Sequence, residues 1–548
     1  MTAFFISKEK NVFTTFSNWI IFISGVCTTL LLSSPHPKKY LPITLSIAAA
    51  ALFYFIIIKK IQNDLLIGAN KKVLIFSIVA SLFAEIPVFG VFYHNCQSEV
   101  TEALKKLGIE GASALKATYN SLTFLITILS AVFISACLYI IYTKALKLFG
   151  HIYGSFEKAE KIAFFSVFGF YTLLIVVSYS LTYVFWGTQQ FNGILYDVIY
   201  TSDSGNLFST NCYLDASAPE NDLRQPLFGV FGAPFAVIPY AISRMFNYVQ
   251  FLYPLLLAIE QCFLLHLSLA LIVKMLKISK GRIYVYLIFS VSFPALLFSL
   301  NLEQYIFALF WLILFLYSAE IKSSDEKGLF LAATGSILTN AALFPLLYKK
   351  ELKLKNNIIN YIKLAIAFVL LCFVFGRGIC FLTLKEKIDH LQTFTGEGIL
   401  MVDKLKQYSA FIFACFMFPP SHVVGTSIQQ MPATNFNLFG IAILVLCIVG
   451  FVLNRKNKFA MISFAWICFS ILMLVLIGWG AKENGMILYT LYFGWAFISL
   501  LVMLINKIPE KLTSVKYGLY SILVVTLLYF NVQGYIEIMK IGITNFPG

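Results

Sequence analysis

Apolar stretches long enough to cross a bilayer follow one another along almost the whole chain, separated by short polar turns. About thirteen run near 16–33, 41–59, 73–93, 120–142, 162–186, 249–274, 283–300, 304–319, 358–380, 436–453, 459–478, 485–505 and 517–535. A spanning helix needs about 20 mostly apolar residues. The pattern therefore predicts an all-α polytopic membrane protein of about 13 transmembrane helices, with 329–348 and 407–418 as shorter, ambiguous apolar stretches.

The rhythm fails once at length. Between Trp186 and Tyr248 there is no span, and the gap is aromatic and acidic where the other turns are short and basic. Long loops of this kind are usually functional or disordered, and aromatic content argues against disorder. From Pro226 through Phe246 the loop carries three prolines and Arg244, which predicts short amphipathic helices on the outer leaflet surface rather than a span.

Composition agrees with the pattern, since 59% of the 548 residues are hydrophobic and 12% charged, far from the balance of soluble domains. The net charge of +15 does not point to nucleic acid. Lys8 and Lys10, Lys59 and Lys60, Lys71 and Lys72, Lys144 through Lys161, Lys274 through Arg282, Arg455 through Lys458 and Lys507 through Lys516 form a ladder on one side, which the positive-inside bias makes cytoplasmic. The N-terminus then lies inside. No cleavable leader is apparent, so the first apolar stretch reads as a retained span.

One segment breaks this parity. Lys322 and Lys327 before residues 329–348, and Lys349 through Lys355 after them, all favour the cytoplasm. We expect a re-entrant or interfacial excursion that breaks near Thr339-Asn340, covered by protein or a cavity. Eight of ten cysteines lie in apolar stretches; Cys96 and Cys212 fall in outer loops, either as a disulfide or as two free thiols.

The ladder divides the chain into an N-terminal four-span module (1–150) and a larger module (151–548) with outer loops 187–248 and 381–435. Glu85 is the exceptional ionisable residue at depth in the first module, a functional candidate or, close to Pro87 and toward the outer end of its span, a helix-packing or interfacial carboxylate. Asp203, Asp222, Arg224, Glu303, His390, Glu397, His422 and Glu483 all fall on the outer face.

The arrangement of the second module resembles the GT-C superfamily of glycosyltransferases: Asp203 early in an outer loop, then Arg224-Gln225-Pro226-Leu227-Phe228 with Arg244 downstream. It continues in Asn301-Leu302-Glu303-Gln304-Tyr305, Leu338-Thr339-Asn340 and Gly480-Ala481-Lys482-Glu483-Asn484, and spans about residues 162–535. The family form places two adjacent acidic residues in the first large outer loop, whereas Ser202 and Ser204 flank Asp203 here. No metal or other cofactor is expected, although some members bind a divalent metal through such a pair.

The resemblance implies a polyprenyl phosphate-linked sugar donor and a glycan or glycolipid acceptor, in a bacterial cytoplasmic membrane with the active site on the outer face. Asp203 is then the candidate base, against an Asx-turn role in Ser-Asp-Ser-Gly. Arg224, Arg244 and Arg377 are candidate phosphate ligands, because guanidinium offers phosphate a fork of donors; headgroup anchoring and pairing with a helix carboxylate are the competing roles. Asp222, Glu303, Glu483 and His390 are candidate substrate-binding residues. A lipid-linked glycan flippase or a glycan polymerase is the alternative, although one broken segment without a matching partner fits poorly with transporter repeats.

Overall fold

The computed structural model describes residues 19–20, 22–28, 70–95, 97–186, 198–200, 223–246, 252–323, 325–375, 381, 384–424, 427–482 and 485–547. Its helices include α1 (Lys71–Asn95), α2 (Gln97–Lys106), α3 (Ala112–Ser155), α4 (Lys158–Leu181), α5 (Phe228–Met245), α6 (Leu252–Met275), α7 (Arg282–Ser290), α8 (Phe293–Leu300) and α9 (Tyr305–Glu320). There follow α10 (Glu326–Ser336), a 3-10 helix (Leu338–Leu347), α11 (Leu354–Val374), α12 (Leu384–Gln392), α13 (Met401–Ala414), and strands β1 (Ser421–Val424) and β2 (Ser427–Gln430). Then come α14 (Leu438–Asn454), α15 (Lys458–Ile471), α16 (Thr490–Ile505) and α17 (Thr513–Asn545). Among the described residues seven helices are long and apolar enough to cross a membrane, or eight if the bent pair α7 and α8 is one span. The chain has the makings of a helical, multi-pass membrane protein.

By contacts it divides into two compact units, Met1–Ser155 with Ser209–Asn247 and Thr334–Lys387, and Phe156–Phe208 with Tyr248–Ala333 and Ile388–Gly548. In the first unit α3 is 44 residues long and packs along α1. Asn70 caps α1, its Oδ1 accepting the N–H of Lys72 at 3.1 Å and of Val73 at 3.4 Å; this satisfies donors that a helix start leaves open. At the other end of α1 the Tyr119 hydroxyl of α3 donates to the Tyr93 carbonyl at 2.8 Å. Asn357 of α11 stitches the basic turn before it, donating to Lys349 O at 2.9 Å and accepting from Lys349 N–H at 3.0 Å.

In the second unit the apolar helices sort by surroundings. The Met486–Ile505 window is 94% buried within the protein, that of α6 78%, and that of α4 22%. A helix that is hydrophobic all round belongs in a core when protein surrounds it and against lipid when it does not. So α6 and α16 are core helices, and α9, buried along nearly its whole length, joins them; α4 has a large lipid-facing share.

The stretch 283–300 is bent by 60° between α7 and α8. Pro294 lies in the first turn of α8, where its missing N–H costs nothing. The groups freed at the bend find partners elsewhere: Asn531 of α17 donates to Val291 O at 2.7 Å and to Phe416 O at 2.9 Å, and accepts from Phe418 N–H at 2.8 Å. Phe293 N–H donates to Phe416 O at 3.0 Å. At the basic end of this unit Glu160 receives Lys274 at 2.7 Å and Arg282 at 2.8 Å, tying α4, α6 and α7. Beyond α4, the Thr182 hydroxyl donates to Phe546 O at 2.6 Å and Tyr183 N–H to the same oxygen at 3.1 Å.

Residues 228–245 form a single helix that runs through Pro234 and Pro239, where the sequence suggests several short ones. The break in the 329–348 segment falls at Ile337, in extended conformation, rather than at Thr339-Asn340. The reason is pairing. Leu338 N–H donates to Arg224 O at 2.9 Å, not to a carbonyl in the preceding turn of its own helix.

Candidate active site

Of the residues singled out from the sequence, Asp203, Asp222, Arg377 and Glu483 lie outside the described residues, as do Cys96 and Cys212. His390 falls on α12, and nothing is described of its side chain. Arg224, Arg244 and Glu303 are placed, the arginines in the first unit and Glu303 in the second.

The segment that leads towards Asp203 is anchored. Strands β1 and β2 form an antiparallel hairpin, and Val198–Tyr200 adds to its edge: Ile428 N–H donates to Val198 O at 2.6 Å and Tyr200 N–H to Ile428 O at 2.8 Å. Tyr200 takes φ +49°, a conformation rare for a bulky side chain. Its hydroxyl lies 2.6 Å from Ser421 Oγ, and burial pushes its phenol above the usual tyrosine range. The hairpin thus ties loop 381–435 to loop 187–248 just before Asp203.

Glu303 sits in the turn between α8 and α9 and is completely buried. The turn is fixed by Tyr179, whose hydroxyl donates to Leu300 O at 2.7 Å, and by Gln261 of α6, whose Oε1 accepts Glu303 N–H at 3.2 Å. The Glu303 carboxylate accepts Tyr305 N–H at 3.4 Å, a long contact at the start of α9. Beside it Gln261 Nε2 and, two residues before Glu303, Asn301 Oδ1 are buried without hydrogen-bond partners among the described residues, and so is Glu260 Oε2 on the adjacent position of α6. Orphaned buried polar groups are expensive and rare; the Gln261 amide beside Glu303 marks a place for water or a polar ligand.

From this turn a chain of aromatic contacts leads outward. The Tyr305 ring lies 5.4 Å from Tyr489, whose hydroxyl accepts Trp479 Nε1–H at 2.5 Å, and the Trp479 ring lies 6.1 Å from Phe394. Gly396 N–H donates to Ile477 O at 3.3 Å and Gly480 N–H to Phe394 O at 3.2 Å, so residues 394–396 pair with 477–480. Into this joint comes Lys404 of α13, 7% exposed and in no ion pair or hydrogen bond among the described residues. A Cβ at Gly478, which holds φ +76°, would stand 2.8 Å from Lys404 Nζ, and one at Gly396 2.6 Å from its Cε. The glycines make room for the lysine.

In the first unit Leu227 N–H donates to Gly335 O at 2.9 Å while Leu338 N–H donates to Arg224 O, so Arg224–Leu227 bridges the broken segment on both sides. A Cβ on Gly335 would stand 2.8 Å from Leu227 Cβ and from Phe231 Cε2. Both polar atoms of the buried Gln225 amide, and Thr334 Oγ1, lack hydrogen-bond partners among the described residues. Arg244 is held by its own helix: Nε and Nη2 donate to the Tyr240 hydroxyl at 2.9 and 2.6 Å, with the guanidinium 5.0 Å from that ring's centre.

Two motifs far apart in the sequence, Arg224-Gln225-Pro226-Leu227 and Leu338-Thr339-Asn340, are therefore neighbours. Glu303 and the start of the Gly480 motif are linked through Tyr305, Tyr489 and Trp479. Glu260, Gln261 and Lys404 are additions that sequence reasoning misses. A carboxylate and an amide inside an apolar stretch carry a signal for the first two, whereas Lys404 looks like any loop cation until its burial is seen. Among the described residues no three His, Cys, Asp or Glu side chains gather as a metal site. Comparison of the chain with family models, curated proteins and solved structures gives no match.

Proposed function

We propose that the protein is a GT-C-type glycosyltransferase of a bacterial cytoplasmic membrane, with about thirteen spans, which transfers a sugar from a polyprenyl phosphate to a glycan or glycolipid on the outer face. The observation that carries the reading is the run of contacts from the buried Glu303 through Tyr305, Tyr489 and Trp479 to the joint that holds Lys404. Sugar transfer from a lipid phosphate calls for these groups together: a carboxylate to orient hydroxyls, aromatic faces for a sugar ring, and a cation for the departing phosphate.

In this mechanism an acceptor hydroxyl attacks the anomeric carbon of the donor sugar. The new C–O bond forms as the bond to the phosphate oxygen breaks, and its electron pair leaves with polyprenyl phosphate. Asp203 takes the acceptor proton, its segment steadied by the Val198–Tyr200 anchor on β2. Lys404 opposes the growing charge on the phosphate, in largely buried surroundings where a cation gains most from a counter-charge. Glu303 orients the acceptor, and Gln261 and Asn301 supply a donor and an acceptor to sugar hydroxyls.

The test is reconstitution. Vesicles that hold the purified chain, a lipid-linked sugar and a competent acceptor should yield glycosylated product and free polyprenyl phosphate. Donor that crosses the bilayer unchanged, with no product, would replace this reading with a flippase.

A further inference from the structure

Glu85 lies in the middle of α1, 3% exposed, in a helix whose sequence is apolar for about one turn before it and two after it. Its Oε1 receives the Ser130 hydroxyl of α3 at 2.5 Å, and Ser130 Oγ lies 3.1 Å from the Thr28 hydroxyl of helical residues 22–28, whose single proton is shared between Ser130 Oγ and Ser24 O at 2.9 Å. Three helical segments thus meet at one carboxyl through a line of two hydroxyls, all three residues being buried. The line is open at its far end. Glu85 Oε2 is buried and has no hydrogen-bond partner among the described residues.

The open end decides what the carboxyl can hold. Ionised, it would be a negative charge inside apolar surroundings with, among the described residues, one hydroxyl donor on one oxygen and none on the other, and such charges are strongly disfavoured. Neutral, it needs one proton, and Oε2 is the oxygen that remains to carry it while Oε1 accepts from Ser130. The Ser130 hydroxyl is the donor to this carboxyl among the described residues. Among the described residues the titratable side chain closest in influence to Glu85 from a packed element is the Cys27 thiol; α3 carries Lys116, Lys144 and Lys147, and α5 carries Arg244, none of them in an ion pair with Glu85.

We propose that Glu85, Ser130 and Thr28 form a proton-binding site inside the membrane, with Glu85 Oε2 as the seat of the proton and the two hydroxyls as the groups that set its affinity. The proton exchanges with the bulk phase, so the occupied and empty forms interconvert with pH. Ser130 and Thr28 are positioning residues. The site belongs to the N-terminal helices and does not depend on the sugar-transfer reading.

Infrared difference spectra of the full chain in vesicles, wild type minus Glu85→Gln, isolate the carbonyl stretch of the protonated carboxyl. The band should be present near pH 5 and fade before about pH 10, and Ser130→Ala should move its loss to higher pH by about one unit. Thr28→Val should shift it the same way by less. N,N′-dicyclohexylcarbodiimide, which reacts with protonated carboxyls in apolar surroundings, should label Glu85 in parallel with the band. A band absent throughout means an ionised carboxylate and overturns the proposal. A band unchanged up to about pH 10 means a static hydrogen bond and overturns it equally, and both outcomes can be read from the wild type and the Glu85→Gln variant without the other substitutions.

Discussion

Leu338 N–H donates to the Arg224 carbonyl at 2.9 Å, and three residues on along one segment and three back along the other Leu227 N–H donates to Gly335 O at the same distance. This pair of backbone bonds holds the broken segment open at Ile337 and fixes where the arginine's chain runs. The backbone of Arg224, rather than its guanidinium, makes this joint, so side-chain substitutions there can report on chemistry. Replacement by Ala should lower turnover even at saturating donor, because the phosphate's charge grows in the transition state; Lys should restore part, a point charge standing in for a fork. A change in donor requirement alone, with turnover kept, would make it an anchoring residue.

Gly335→Ala should destabilise the chain by about 1–3 kcal/mol, since its new methyl meets Leu227 and Phe231. Thermal unfolding in detergent reads this directly. An unchanged midpoint would mean that the joint yields without strain.

Lys404→Met separates activity from stability by opposite signs. Removing a largely buried charge that has no ion pair among the described residues, and keeping the stem's volume, should leave the melting temperature equal or higher, while sugar transfer falls about 10-fold or more as the phosphate loses a counter-charge. A lower melting temperature with normal transfer would make Lys404 a packing residue.

Asp203→Asn should slow transfer by about 100 to 10,000-fold at matched protein levels, the loss expected for a general base. Tyr200→Phe, which removes only the hydroxyl bonded to Ser421, should cost far less. If the order reverses, the base lies elsewhere and Asp222 or Glu483 is next.

Glu160→Gln should lower the unfolding free energy by about 3 kcal/mol, because Lys274 and Arg282 lose their common counter-ion in a largely buried place. Transfer per folded molecule should stay the same. Denaturant titration beside the reconstituted assay reads both, and a loss of transfer at full folding would give this ion cluster a part in the reaction.

Helices are legible wherever length and apolarity act locally. The stretches 249–274, 304–319 and 436–453 coincide within a few residues with Leu252–Met275, Tyr305–Glu320 and Leu438–Asn454. Breaks are harder. Pro294 gives no clear warning, because the 60° bend also rests on Asn531, 240 positions from Val291. The break at Ile337 falls short of the expected Thr339-Asn340, since an Asn suggests one place while a backbone bond to Arg224 decides another. In the site, Glu303 is visible as an acid in a turn, but its burial is not. Lys404 is invisible as a candidate, because its isolation comes from Gly396 and Gly478 in two other segments.

The bond from Thr182 to the Phe546 carbonyl joins residues 364 positions apart. A chain threaded into the membrane from its N-terminal side delivers Thr182 long before the partner that steadies the exit from α4. The exit from α4 therefore sets only after α17 has been made. Until then the Thr182 hydroxyl and the Tyr183 N–H lack the acceptor they share, and a ribosome stalled at any intervening helix would hold α4 without this tie.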